Sequence, residues 1–184
     1  LSNVGKGQGT SIATGTNGEV YICWAKNTDA DWDAESLGFA KSLNGGLTYT
    51  TSTPFNYEGI RVGVSGQNII FNNTQVTDFP AIAVDRSCNS TRGRILVVYR
   101  EKENGLPNGK ANSNLRYSDN QGSTWSAAQT ISIANGRQNW QPAIAVDETT
   151  GAVCVIYYSF DGASSFGTNT YMAYSTNGGT SFTN

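Results

Sequence analysis

Apolar residues in this 184-residue chain come in short bursts separated by polar, glycine-containing turns, and three bursts share one plan. Ser11-Ile12-Ala13-Thr14-Gly15 is followed by Gly18-Glu19-Val20-Tyr21-Ile22-Cys23-Trp24. Pro80-Ala81-Ile82-Ala83-Val84-Asp85 is followed by Gly93-Arg94-Ile95-Leu96-Val97-Val98-Tyr99, and Pro142-Ala143-Ile144-Ala145-Val146-Asp147 by Gly151-Ala152-Val153-Cys154-Val155-Ile156-Tyr157. Two short β-prone runs around a polar turn predict a hairpin, and each second run ends in an aromatic residue. No stretch keeps apolar residues at helical spacing, so the pattern predicts an all-β chain built on an internal repeat.

Each hairpin leads into a third strand-like run: Leu37-Gly38-Phe39-Ala40, Asn114-Leu115-Arg116-Tyr117 and Tyr171-Met172-Ala173-Tyr174. Each run then reaches a stereotyped turn: Ser42-Leu43-Asn44-Gly45-Gly46-Leu47-Thr48-Tyr49, Ser118-Asp119-Asn120-Gln121-Gly122-Ser123-Thr124-Trp125 and Ser175-Thr176-Asn177-Gly178-Gly179-Thr180-Ser181-Phe182. All three read Ser-x-Asn-x-Gly-x-Thr/Ser-aromatic. Ser and Asn side chains can bond nearby backbone, and Gly accepts a positive φ, so the spacing suits a tight reversal.

These turns resemble the Asp-box, or BNR repeat, of the sialidase superfamily, Ser-x-Asp-x-Gly-x-Thr-Trp, with Asn44, Asn120 and Asn177 standing at the box Asp. The resemblance implies a β-propeller of four-stranded antiparallel blades, in which the box joins the third and fourth strands. Residues 1–184 then form one unit, a part-propeller with blades over about 8–56, 79–134 and 141–184, the last lacking its fourth strand. Propellers close with about four to eight blades. Three would leave a face open at each end, so the chain is expected to be part of a six-bladed ring completed by remaining blades or by a second copy.

Composition removes several functions. Charged residues are 14 % of the chain, the net charge is −2, and there is no His. Histidine acid–base chemistry, Ser-His-Asp catalysis and most zinc sites are therefore excluded. No basic cluster suits nucleic acid, and no apolar run is long enough to span a bilayer. Cys23 and Cys154 fall within strand-like runs and are expected to be buried apolar residues, whereas Cys88 lies in a polar loop. The Thr- and Asn-rich blades resemble those of extracellular or cell-surface bacterial proteins, which sets the expected location.

Strand alternation sorts the connections onto two faces. The hairpin turns and boxes fall on one, and the longer segments 25–36, 50–78, 100–113, 126–140 and 158–170 on the other, where function usually sits. Ligand-binding candidates in or beside those segments are Asp31, Trp32, Asp33, Arg100, Trp140 and Tyr158. Aromatic faces stack on sugars or partner side chains, although Trp24, Tyr99 and Tyr157 at equivalent strand ends are expected in the core. The acidic run Asp29-Ala30-Asp31-Trp32-Asp33-Ala34-Glu35 resembles a calcium loop. An EF-hand would need Gly at Ala34 and Glu at Ala40, so a solvated hairpin tip without a cofactor is expected, with calcium at Asp29–Glu35 as the alternative.

A sialidase of this resemblance needs three arginines on the substrate carboxylate, a Tyr–Glu nucleophile pair and an Asp acid/base. The first arginine sits in a Phe-Arg-Ile-Pro motif, and the matching stretches are Thr77-Asp78-Phe79-Pro80 and Asn139-Trp140-Gln141-Pro142. Asp78 and Trp140 stand at the arginine position. Glu101 and Glu103, with Asp31 and Asp33, are the carboxylates from which a hydrolytic pair would have to come. No catalytic residue is assigned. The expected function is a secreted, non-catalytic propeller segment binding glycans or extracellular proteins through the loop face. The alternative is a fragment of a sialidase-like glycoside hydrolase whose catalytic residues lie elsewhere.

Overall fold

Eleven β-strands make up the regular secondary structure of the described residues, which in this computed structural model are 6–27, 33–60, 76–103, 111–133, 138–160 and 167–184. The first sheet runs β1 (Lys6–Thr14), β2 (Val20–Asn27), β3 (Ser36–Ser42) and β4 (Thr50–Ser52) in chain order. The second repeats the plan with β5 (Ala81–Val84), β6 (Ile95–Lys102), β7 (Ala111–Ser118) and β8 (Gln129–Thr130). The third contains β9 (Asn139–Val146), β10 (Val153–Phe160) and β11 (Thr168–Ser175). Tyr174 and Thr183 exchange backbone hydrogen bonds of 2.8 and 2.9 Å, so the chain begins to add a fourth strand there too. Every pairing is antiparallel.

The sheets stack face to face, and β6 shows why the sequence permits it. Side chains alternate across a strand, so Ile95, Val97 and Tyr99 point one way and Leu96 and Val98 the other. The first set joins Tyr21, Cys23, Ala25, Leu37 and Phe39 in a core between sheets one and two. The second set joins Val153, Val155, Tyr157 and Ala173 between sheets two and three. A strand buried on both sides needs a continuous apolar run, and Ile95 to Tyr99 supplies one. The first strands β1, β5 and β9 neighbour one another in sequence, as the inner strands of successive propeller blades do.

The three Ser-x-Asn turns share one hydrogen-bond pattern. In the second, Ser118 Oγ donates to Asn120 Oδ1 (3.0 Å) and accepts from the Gly122 amide (2.9 Å). Asn120 Oδ1 also accepts from the Thr124 amide (2.8 Å), while Asn120 Nδ2 donates to Thr124 Oγ1 (2.8 Å). Ser42, Asn44 and Thr48 repeat these bonds, as do Ser175, Asn177 and Ser181. The amide side chain therefore uses both ends, accepting with its oxygen and donating with its nitrogen. Two successive left-handed residues reverse the chain: Gln121 (φ 56°) and Gly122 (φ 77°) here, and glycine pairs in the other two turns.

Trp24, Tyr99 and Tyr157 are core residues, and so is Cys23. Cys154 departs from expectation and is only half-buried. Its strand lies in the third sheet, and among the described residues no sheet covers that side.

Candidate functional site

Buried polar groups gather where the strands end on the loop face. Arg100, near the end of β6, is fully buried. Its Nε donates to Asn139 O (2.9 Å), one terminal nitrogen donates to Gln138 Oε1 (3.0 Å) and the other to Ile60 O. One guanidinium thus ties the segment after the first sheet, the second sheet and the start of the third. Burial pulls its pKa down to about 10, opposed by the negative charges of Asp78 and Asp33.

Asp78 is fully buried, and its Oδ2 accepts from the Ala34 amide (2.7 Å). The Gly59 amide donates to Ala34 O (2.7 Å), and a Cβ at Gly59 would overlap the Asp78 carboxylate and the Ala34 backbone. Glycine is therefore required for this close approach. Asp33 is half-buried beside the cluster. Beside Arg100 on β6, Glu101 accepts a 2.6 Å hydrogen bond from Asn114 Nδ2 on the next strand, β7.

Trp140 and Tyr158 form the aromatic half of this end. Both lie within strands, β9 and β10, rather than in the loops beside them. They sit opposite one another in register, with ring centroids 6.0 Å apart at an interplanar angle of 32°. Trp140 is buried against Val76 and Phe160, while Tyr158 remains exposed. A bulge breaks the β9–β10 register here, and Gln141, just before Pro142, adopts a left-handed φ of 48°. For a non-glycine residue that conformation is strained, and bulges are devices that re-aim side chains.

Of the six residues singled out in the sequence, the structure brings Asp33 and Arg100 into one polar cluster and Trp140 and Tyr158 into one aromatic pair. Arg100 is turned into the protein with its nitrogens on protein oxygens, so any part it plays in binding runs through the backbone it positions. Asp31 and Trp32 lie outside the described residues, as do Asp29 and Ala30 of the acidic run. Among the described residues no three His, Cys, Asp or Glu side chains are grouped to hold a metal ion. No described helix is long and apolar enough to cross a membrane.

Sequence reasoning missed Asp78 as a buried anchor and Gln138 and Asn139 as the partners of Arg100. The signal for Asp78 was its place two residues before a strand-initial Pro, which invites a side-chain cap. Nothing local marks Gln138. The opposite face carries a polar cleft of about 210 Å³, lined by Asn17, Glu19, Tyr21, Arg92, Asp119 and Gln121 among others. Both carboxylate oxygens of Glu19 accept from Asn17 within it, at 2.8 and 3.3 Å.

No family model and no curated protein matches the sequence. Solved structures do match, and they define the class of fold: a propeller of stacked antiparallel sheets. A Hadza microbial sialidase aligns over 96 % of this chain and 36 % of its own, with a TM-score of 0.66 and 17 % identity. The intramolecular trans-sialidase from Ruminococcus gnavus aligns over 97 % of this chain and 60 % of its own (TM-score 0.63, 14 % identity). The GH93 α-L-arabinofuranosidase of Fusarium graminearum, solved with arabinobiose, aligns over 92 % and 45 % (TM-score 0.57, 15 % identity). The chain thus has the sialidase-like propeller fold and spans about a third to three-fifths of the length of these proteins.

Proposed function

We propose that this chain is a non-catalytic, extracellular propeller segment that binds neutral glycans through the face opposite its Asp-box-like turns. One observation carries the reading. At both places where a carboxylate-clamping arginine is expected from the sialidase resemblance, the residue is turned inward: Asp78 onto the Ala34 amide and Trp140 onto Val76 and Phe160. Neither position therefore offers a counter-charge for a sialic acid carboxylate, whereas Tyr158 offers an aromatic surface for an uncharged ring.

In this reading Tyr158, backed by Trp140, offers a stacking platform, and Trp32 and Asp31 are further ligand candidates from the sequence. Asp33 supplies a polar edge, and Arg100 holds the strand ends in place. Neighbours that act on sugars of both kinds, sialidases and an arabinofuranosidase, share the fold, which supports a glycan role without choosing the sugar.

A glycan array followed by calorimetry tests this. Neutral oligosaccharides, arabino-oligosaccharides among them, should bind in preference to sialosides. Tyr158→Ala or Trp32→Ala should weaken binding about 3- to 10-fold, the worth of one aromatic contact, with the circular dichroism unchanged. Preference for sialosides, or no binding to any glycan, would refute it. The second reading, a segment of a glycoside hydrolase, is favoured by the enzymes among the structural neighbours and by the partial span of each. Release of free sugar from the same oligosaccharides would establish that reading instead.

A further inference from the structure

The face of the hairpin turns and boxes holds a buried carboxylate that the chain positions but does not neutralise. Glu19, 7 % exposed, lines the polar cleft of about 210 Å³ with Tyr21, Arg92, Asp119 and Gln121, within the seam between the first and second sheets. Asn17 bonds its two oxygens, from the backbone amide (2.8 Å) and from Nδ2 (3.3 Å), and a Cβ at Gly15 would overlap Oε2. Among the described residues Glu19 joins no ion pair. Burying a charge is costly unless a counter-charge or enough donors meet it.

Tyr21 adds a second unmatched group. Its ring stacks on Phe39 with centroids 6.0 Å apart, and the residue is 2 % exposed. Among the described residues its hydroxyl makes no hydrogen bond, whereas Tyr99 Oη accepts from Arg116 and Tyr157 Oη donates to Asn184. The other charges of the cleft are matched. Asp119 accepts from Arg94 at 2.7 and 3.0 Å, and Arg92 Nη1 donates to Arg86 O (2.6 Å) and Ser87 O (2.7 Å).

The repeat shows what fits here. Glu19 and Tyr21 hold the positions of Arg94 and Leu96 in the second sheet, and Gln121 that of Gly178 in the next box. In the seam between sheets two and three, Arg94 Nη1 donates to Gly178 O at 2.8 Å, and Leu96 lies so close to Gly179 that a Cβ there would overlap it. A guanidinium thus fills in the second seam the place that the cleft takes in the first.

We propose that the cleft binds a guanidinium group, the side chain of an arginine on a peptide or protein partner, with Glu19 as its counter-ion and Tyr21 Oη as a further acceptor. A guanidinium carries five donors in a planar fork and is weakly hydrated, which suits a buried carboxylate with acceptors around it. The volume falls below the roughly 300–1,000 Å³ of pockets for drug-sized ligands, so it suits one side chain rather than an oligosaccharide. A calcium ion needs about six to eight oxygens, and among the described residues no three His, Cys, Asp or Glu are grouped to supply them. The cleft lies on the face away from Tyr158, so the inference stands apart from the glycan reading.

Calorimetric titration of the purified chain with N-acetyl-arginine N-methylamide, whose guanidinium is its only charge, tests the proposal. The probe should bind at one site per chain. Its citrulline counterpart, of the same shape without the charge, should bind at least about 10-fold more weakly. Glu19→Gln should weaken the arginine probe about 10-fold, with an unchanged circular dichroism spectrum. Tyr21→Phe, which keeps the ring and its stack on Phe39, should weaken it about 3-fold and reads the site even if Glu19→Gln disturbs the Asn17 turn. No binding, equal binding of the citrulline probe, or an affinity that neither variant changes would overturn the proposal. Calcium that displaces the arginine probe and no longer binds the Glu19→Gln variant would overturn it in favour of a metal site.

Discussion

Ser118→Ala removes one oxygen from the second Ser-x-Asn turn, and the bonds made by that oxygen set the expected cost. The hydroxyl donates to Asn120 Oδ1, and it accepts from the Gly122 amide at 2.9 Å and more weakly from the Asn120 amide at 3.4 Å. Ser118 is almost fully buried, so water cannot replace it freely. A neutral hydrogen bond contributes about 0.5–1.5 kcal/mol net, and an amide left without a partner costs about 1–3 kcal/mol. Counting the two good bonds and the Gly122 orphan, with some relaxation, gives a loss of about 2–4 kcal/mol. Packing adds to the stakes here. Trp125, two residues beyond the turn's Ser123, stacks edge-on against Phe39 at 5.5 Å and against Phe55 at 5.6 Å, in the core between sheets one and two.

The partner substitution separates geometry from charge. Asn120→Asp keeps the acceptor for Ser118 and Thr124, and loses only the Nδ2 bond to Thr124 Oγ1. That hydroxyl can rotate and donate to the new carboxylate, so the change should stay within about 1 kcal/mol. Asn120→Ala, which removes the acceptor from Thr124 N, should cost as much as Ser118→Ala. Urea unfolding followed by tryptophan fluorescence reads all three, on a protein with four Trp. The first turn provides a control. Ser42 is as buried as Ser118 and makes the same bonds, so Ser42→Ala should cost about as much as Ser118→Ala. The reasoning fails if Ser118→Ala costs under about 0.5 kcal/mol, or if Asn120→Asp is as damaging as Asn120→Ala.

Further outcomes follow from single residues. Arg100→Ala strips three hydrogen bonds from a fully buried site and leaves Asn139 O and Gln138 Oε1 without their donor; it should lower stability by about 3–5 kcal/mol in the same denaturation assay. Raised tyrosine pKa values fix an alkaline limb. Burial pushes the Tyr21 and Tyr99 hydroxyls up to about 12 from an ordinary 10, so the unfolded chain loses these protons first and their stabilising contribution declines from pH 10 to 12. Absorbance at 295 nm should accordingly show these two of the nine Tyr ionising late, and unfolding by urea should become easier across that range. Gln121→Gly, which relieves a left-handed side chain at the tip of the second turn, should be neutral or stabilising by up to about 1 kcal/mol, the reverse of glycine's usual effect within a strand.

The sheets were legible because their signals are local. The β-prone run Ile95 to Tyr99 is enough to give a strand, and its being apolar at every position is enough to bury it from two directions. The turns were legible for the same reason, since the side chains of Ser42 and Asn44 bond Gly46 and Thr48 within the turn itself. What the sequence did not show is long-range. Arg100 reads as a charged residue leaving a strand toward a loop, and only the packing of residues 60, 138 and 139 around it makes it a buried tie. Trp140 reads as a loop aromatic, yet the bulge at Gln141 carries it inward onto Val76. Cys154 reads as core because its strand is apolar, and its half-exposure depends on whether another sheet follows.

That last case separates two kinds of surface that composition alone confuses. Tyr158 and Ile156 are two residues apart on one strand and both exposed, but they answer to different causes. Ile156 sits where the repeat twice places a residue beneath a neighbouring sheet, at Val98 and Cys23. Tyr158 sits at the strand end, against Trp140 and a strained backbone, where the second sheet has instead Arg100 bonded across to the third. The repeat therefore predicts burial at Ile156 and gives no precedent for a ring at Tyr158. A departure from the repeat at the loop face, on an otherwise repetitive scaffold, is where a site is added without disturbing the fold. This is why the glycan reading rests on Tyr158 and Trp140.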